Sequence, residues 1–228
     1  MKIISVKKGF TSDHSSTSYE FLAVDKVLSK KERKAVATLS SRANPTSREV
    51  SFIYHADGYD IPGGWETLME KYYDVMYSES YDWWTLAIAF DYSVGQVSEL
   101  KKYEFDGEDD CGIDILERDG RAIIVINCRL DGSCIDDPYD DYDGYEDEDD
   151  EDDEEGDKTG SSVVVENELL NLLVQLREQL IQGDYRSLYV VCEKYGFLVE
   201  DDPPIPPERS LGKRIIEQFS NMLECLCD

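Results

Sequence analysis

An acidic run divides this chain into two parts that lie on either side of it. The run, residues 136–157, contains sixteen Asp or Glu residues and no Lys or Arg. Carboxylates at this density repel one another, and the second half of the run has no apolar side chain to bury in a core. The run therefore predicts an acidic disordered linker at 136–160, between an α+β domain at 1–135 and a helical segment at 161–228.

Calcium binding is the first alternative interpretation of the acidic run. An EF-hand loop that uses Gly144 as its invariant glycine would take Asp141 and Asp143 as ligands. The same alignment places Tyr139 at the first ligand position, where a carboxylate is required. The flanking residues also lack a helical pattern, so we expect no specific calcium loop and no metal site in the run.

Mimicry of nucleic acid is the second specific function. Carboxylates such as those of Asp147, Asp149 and Asp150 would then occupy the basic groove of a partner protein. A mimic needs carboxylates held on a fixed surface, whereas a run rich in Asp and Gly is extended. The linker is therefore the preferred interpretation, and an acidic antagonist of a nucleic-acid-binding partner is the alternative.

The charge of the rest of the chain limits the partners that it can bind. The net charge is −28, and outside the acidic run 35 acidic residues still face 23 basic ones. Phosphate backbones would be repelled by such a surface, so the composition argues against direct binding of nucleic acid. The hydrophobic content of 41% is that of an ordinary globular protein.

The termini and the cysteines indicate a cytoplasmic protein. The opening residues MKIISVKKGF lack the apolar stretch of a signal peptide, and no segment is long and apolar enough to predict a membrane span. The six cysteines show no CxxC or zinc-finger spacing, so we expect reduced thiols without metal or cofactor. These cysteines are Cys111, Cys128, Cys134, Cys192, Cys225 and Cys227.

Local patterns in the first part predict a mixed sheet with helices. KIISV, YEFLAVD and REVSFIYH read as strands, and Ser29 with Glu32 forms a capping box that opens a helix at about 30–39. WETLMEKYYDVMYS has helical spacing, whereas YDWWTLAIAFDY alternates as a strand with both faces covered. Ser93 predicts the cap of another helix, and Asp119-Gly120 predicts a tight hairpin turn.

The second part has the period of helices. Leu169, Leu173, Leu176 and Leu180 share one helical face, which Gly183 is expected to end. A second helix is predicted from an Asp184 cap to Gly196, and a third near the C-terminus, beyond the proline-rich stretch DDPPIPPERS. Three short helices are too few to hold a core alone, so we expect this segment to pack back on the sheet.

The order of these pieces resembles a large family of uncharacterised bacterial proteins. The strand and capped helix YEFLAVDKVLSKKERKAVATLSSRANPT are similar to the opening of that family, and LMEKYYDVMYSESYDWWTLAIAF is similar to its LMERYFD helix and following strand. LREQLIQGDYRSLYVVCEKYG resembles its GD-R-LYLAWL helix pair, although Val191, Cys192 and Glu193 stand where relatives have LAWL. The resemblance implies no established activity.

Two further expectations come from resemblance alone. Members of the family are expected to sit beside SWIM zinc-finger proteins and helicases, so the resemblance implies a partner of that kind. The opening VKKGFTSDHSSTSYEF resembles the GF-SNSSSSSF start of many phage and bacterial proteins.

Catalytic chemistry has little support in the sequence. His14 lies beside Ser12, Ser15 and Ser16 on a polar stretch, but a nucleophilic serine needs a positioned base and an orienting acid. There is no GxSxG elbow, no HExxH and no glycine-rich phosphate loop. A hydrolytic enzyme is therefore a minor alternative, and we expect a protein that is not an enzyme.

Aromatic residues supply the remaining candidates for function. Trp83 and Trp84, together with Tyr185 and Tyr189, are of the residue types that anchor protein interfaces, although a Trp in a strand also fills a core. These four residues and the three aspartates of the run are the candidate partner-binding residues. The function expected from the sequence is that of a cytoplasmic adaptor or regulator that binds a protein partner.

Overall fold

The computed structural model describes residues 17–55, 60–80, 83–107, 110–129, 168–196, 203–206 and 213–225. The acidic run and the predicted strand KIISV lie outside these residues. The predictions of a linker, a calcium loop and a mimic therefore stay predictions.

A sheet of seven strands forms the centre of the described structure, in the order β2-β1-β3-β4-β7-β6-β5. All six pairings are antiparallel, so the predicted α+β class is confirmed, while the sheet is antiparallel and not mixed. The strands are β1 Thr17–Leu22, β2 Glu49–Tyr54, β3 Val75–Ser80, β4 Trp83–Asp91, β5 Phe105–Asp106, β6 Gly112–Arg118 and β7 Arg121–Arg129.

In the described part of the chain, six α-helices cover this sheet on both faces. They are α1 Lys30–Ala37, α2 Trp65–Lys71, α3 Val94–Leu100, α4 Glu168–Ile181, α5 Arg186–Tyr195 and α6 Lys213–Cys225. The alternation of β4 sorts its side chains between the layers, since Leu86 and Ile88 face one buried cluster and Ala87 and Ala89 face the other. The predicted two-sided burial of this strand is confirmed.

The helices that follow the acidic run pack back on the sheet, as expected from their small number. Leu173, Leu176 and Leu180 of α4 lie in the same buried cluster as Leu86 and Ile88 of β4. The helix ends in a Schellman motif, in which the N–H of Gly183 donates to the carbonyl of Leu180 at 3.0 Å and that of Asp184 to the carbonyl of Gln179 at 2.9 Å.

The sequence predictions for the start of α1, for the turn between β6 and β7 and for the end of α5 are confirmed. Ser29 and Glu32 form the expected capping box of α1. Asp119 and Gly120 join β6 to β7 with φ angles of 46° and 84°, the left-handed pair that a tight hairpin requires. Helix α5 ends at Gly196, as its sequence indicates.

Two local predictions are wrong, and one is confirmed in part. The helix expected over WETLMEKYYDVMYS ends at Lys71, because the chain from Val75 onward pairs with both β1 and β4. Ser93 is the N-cap residue of α3, as predicted, but its side chain forms no capping hydrogen bond, and the amide of Gln96 donates to carbonyls at the end of α4. Tyr185, not Asp184, is the N-cap of α5, and Asp184 binds the guanidinium of Arg186.

Candidate functional site

Strand β2 forms one edge of the sheet, and among the described residues its single neighbour is β1. The N–H of Ala23 donates to the carbonyl of Arg48 at 2.7 Å, so the backbone of residue 48 faces β1. The backbone of Glu49 faces the opposite way, since both its N–H and its carbonyl bond Thr46. Because this direction alternates along a strand, the backbone groups of Ser51 and Ile53 point out from the edge.

The side chains beside this open edge combine an apolar group with polar ones. Ile53 is 44% exposed, which is high for an isoleucine in a sheet. A shallow depression next to it is lined by polar residues of β1, β2 and the loop before β2, and by Leu170 of α4. In this depression the hydroxyl of Ser51 donates to the carboxylate of Glu20 at 2.5 Å. The edge thus offers backbone hydrogen bonds and a place for a side chain next to them.

A second unusual feature is a half-buried glutamate on the face of the sheet that α4 covers. Glu79 of β3 lies directly opposite Ser18 of β1 and Trp84 of β4. Burial raises the pKa of Glu79 to about 7. Its Oε2 and the hydroxyl of Ser18 are buried and form no hydrogen bond with a described residue. A carboxyl group with this pKa changes its protonation state near neutral pH.

Asp74 is the third feature, a buried carboxylate at the start of β3. Its Oδ2 accepts hydrogen bonds from the N–H groups of Val24 at 2.6 Å and Asp25 at 2.9 Å, while its Oδ1 binds the guanidinium of Arg121. Arg177 of α4 approaches the same Oδ1 at 3.9 Å. Since both oxygens are occupied by partners from three parts of the chain, Asp74 holds the fold together and has no free position for a substrate.

The structure separates the two tryptophans that the sequence offered for partner binding. Trp84 is 3% exposed and stacks on Tyr77 with ring centroids 5.9 Å apart, so it is a core residue and not part of a binding surface. Trp83 is half-buried on the opposite face, where the guanidinium of Arg129 lies 5.8 Å from its ring centroid. Trp83 is therefore the member of the pair that a partner can touch.

The tyrosine candidates lie partly under other residues. Tyr185 and Tyr189 are half-buried and pack against the cluster beneath α4 and α5. The ring centroids of Tyr185 and Tyr103 lie 5.7 Å apart. Asp147, Asp149 and Asp150 lie outside the described residues.

The structure describes some of the histidines and cysteines that were considered for catalysis and metal binding. His55 is exposed, whereas His14 and its neighbouring serines lie outside the described residues. Cys111, Cys128 and Cys192 are buried and free of disulfides, and burial raises the pKa of the Cys192 thiol to about 12. Within the described ranges, His, Cys, Asp and Glu side chains form no group of three that could hold a metal ion.

Comparison of the chain with protein-family models, with curated proteins and with solved structures finds no match. The resemblance to a bacterial family therefore stays a prediction. None of the helices in the described part of the chain has the length and apolar character to span a membrane.

Sequence reasoning did not identify the open edge, the half-buried Glu79 or the Asp74 network. The edge depends on the order of the strands, and the sequence of β2 contains no signal for that order. Glu79 and Asp74 are two of 51 acidic residues, so their type and spacing do not distinguish them. The surrounding apolar residues of β3 were the available signal, but they were assigned to a helix.

Proposed function

We propose that the protein is a non-enzymatic adaptor or regulator whose partner adds a strand to the open edge of β2. The observation that supports this proposal is the outward direction of the backbone groups of Ser51 and Ile53. An unpaired edge invites pairing with another chain, and natural sheets usually protect such edges with charge, proline or a very short strand. The other edge, β5, has two residues, whereas β2 has six and exposes Ile53.

Strand addition divides recognition between backbone and side chains. Hydrogen bonds from the main chain supply affinity, and pockets for alternate side chains supply specificity. The depression lined by Glu20, Ser51 and Leu170 is next to the edge and suits a side chain of an incoming strand. The partner is expected in the cytoplasm.

The variant Ile53→Pro tests the proposal. Proline removes the outward N–H of residue 53, which an incoming strand needs, and leaves the bonds between β1 and β2 in place. Ile53→Thr is the matched control, because it shortens the side chain but keeps the N–H and a strand-forming residue. The measurement is affinity capture from native cells at low and high salt, followed by hydrogen exchange of the captured complex.

We expect the wild type and Ile53→Thr to retain a salt-resistant partner that protects the amides of Ser51 and Ile53 from exchange. Ile53→Pro is expected to lose this partner while its melting temperature stays near that of the control. A partner that binds Ile53→Pro equally well would contradict strand addition. Loss of the partner at high salt would instead favour the acidic antagonist.

A further inference from the structure

A concentration of positive charge lies on helix α1 of this otherwise acidic protein. Residues 26–48 contain seven of the 23 basic residues and a single acidic residue, Glu32. Lys30, Lys31, Lys34 and Arg42 are exposed. In a chain with more than twice as many acids as bases, such a local reversal of sign does not follow from composition.

The cations of α1 share one face of the helix. At about 100° per residue, Lys30, Lys34 and Lys31 lie within an arc of about 100°. The opposite side of α1 carries Val36, which is buried in the same cluster as Val50 and Phe52 of β2. The three lysines therefore form a single solvent-facing surface, which we call the α1 lysine face.

None of these three lysines makes an ion pair or a side-chain hydrogen bond with a described residue. The carboxylate of Glu32 is used elsewhere, since it accepts the N–H of Ser29 at 2.7 Å in the capping box and lies 3.6 Å from Lys26. By contrast, Lys101 and Lys102 are paired with Glu117 and Glu99. The α1 lysine face thus differs from Lys101 and Lys102 in having no neutralising partner among the described residues.

The arrangement is also unfavourable for the helix itself. Lys30 and Lys34 are four residues apart, where like charges repel across one turn. Lys30 and Lys31 occupy the first turn, where the helix dipole favours acidic residues. Next to them, the Nε of Arg33 is buried and forms no hydrogen bond with a described residue. Residues that lower the stability of a helix and form no compensating contact inside the fold are typical of functional surfaces.

We infer that the α1 lysine face binds an acidic segment of a partner protein. The three lysines lie within residues 30–34 and span about 6 Å along the helix, the length of about two residues of extended chain. A short run of Asp or Glu matches this length and can end before it meets the surrounding negative surface. A nucleic acid continues in both directions and would be repelled there. The inference is independent of strand addition at β2, because it uses side chains of α1 and not the outward backbone groups of Ser51 and Ile53.

The test measures the binding of a labelled oligoglutamate peptide to the full chain by fluorescence anisotropy. The measurement is made at about 0.05 M and about 0.15 M salt, because the screening of charge differs between these concentrations. The variant is Lys30→Gln, Lys31→Gln and Lys34→Gln combined. The matched control combines Lys71→Gln, Lys102→Gln and Arg118→Gln, which changes the net charge equally at other exposed positions. A single-stranded oligonucleotide of similar charge is the second probe.

We expect the peptide to bind the wild type, and its Kd to rise by at least about tenfold in the α1 variant and by less than about threefold in the control. Higher salt is expected to weaken the binding. Equal losses in both variants, tighter binding of the oligonucleotide than of the peptide, or no binding at the lower salt would each overturn the inference. Neither Ser51 nor Ile53 is changed, so this result is separate from that of Ile53→Pro.

Discussion

Arg177 of α4 forms an ion pair with Asp25, a residue 152 positions earlier in the chain. The guanidinium of Arg177 is 4% exposed, and its Nε also donates to the carbonyl of Ala89 at 2.7 Å. Through this one side chain, the helix after the acidic run is bonded to the loop after β1 and to β4. The two parts of the sequence therefore share one structure around the buried Asp74.

Replacement of Arg177 is expected to destabilise the whole protein. Arg177→Ala leaves the carbonyl of Ala89 and the nearby Asp74 with fewer partners, which should lower the free energy of unfolding by about 3 kcal/mol. Arg177→Met keeps much of the buried volume and should cost less. Urea denaturation measures both, with the exposed Arg118→Ala as control. An Arg177→Ala protein as stable as the control would show that this network contributes little.

The half-buried Glu79 is expected to make stability depend on pH. Because its folded pKa of about 7 lies above the ordinary value of 4.5, the folded state holds a proton that the unfolded state releases earlier. Stability contributed by this group is present below about pH 4.5 and is lost as the pH rises to about 7. The partial exposure of Glu79 limits the loss to about 1 to 2 kcal/mol.

Glu79→Gln removes the charge and keeps the shape of the side chain. We expect this variant to be more stable than the wild type at pH 8. Its free energy of unfolding should also fall less between pH 5 and pH 7, by about 1 to 2 kcal/mol. Thermal melts across this pH range measure the difference, and Glu193→Gln, at an exposed position of α5, is the comparison. A parallel pH dependence of wild type and Glu79→Gln would contradict a titrating Glu79.

Two glycines provide a paired test of backbone conformation. Gly120 has a φ of 84°, and a Cβ added there would meet no atom within 4 Å. Gly120→Ala should therefore cost about 1 to 2 kcal/mol from the left-handed conformation alone. Gly95 lies within α3 and also has open space, so Gly95→Ala should stabilise the protein by up to about 1 kcal/mol. Denaturation curves that shift in the same direction for both would contradict this account.

Gln96 is expected to stabilise the end of α4 from a neighbouring helix. Its amide donates to the carbonyls of Leu180 at 3.4 Å and Ile181 at 3.3 Å. Gln96→Ala should cost about 0.5 to 1.5 kcal/mol. Gln96→Glu should cost more, because a carboxylate has no donor and lies at the negative end of the helix dipole. If Gln96→Glu is the more stable variant in urea denaturation, the amide does not act as this cap.

The sequence by itself determined the elements that depend on neighbouring residues. The capping box of Ser29 and Glu32, the turn at Asp119-Gly120 and the leucine face of α4 each follow from backbone preference and local spacing. The covered strand β4 was also predicted correctly, because its apolar residues occupy both faces. These signals act within a few residues, so they survive in any arrangement of the elements around them.

The tertiary structure decided the strand β3, the open edge of β2 and the pKa of Glu79. Residues from Val75 onward have a helical spacing, but they form β3 because hydrogen bonds to β1 and β4 on both sides outweigh that preference. The open edge of β2 exists because the chain places β1, and no described strand, beside it. The pKa of Glu79 follows from burial under helices that are distant in sequence. Strand order and desolvation are properties of contacts between remote residues, which local patterns do not encode.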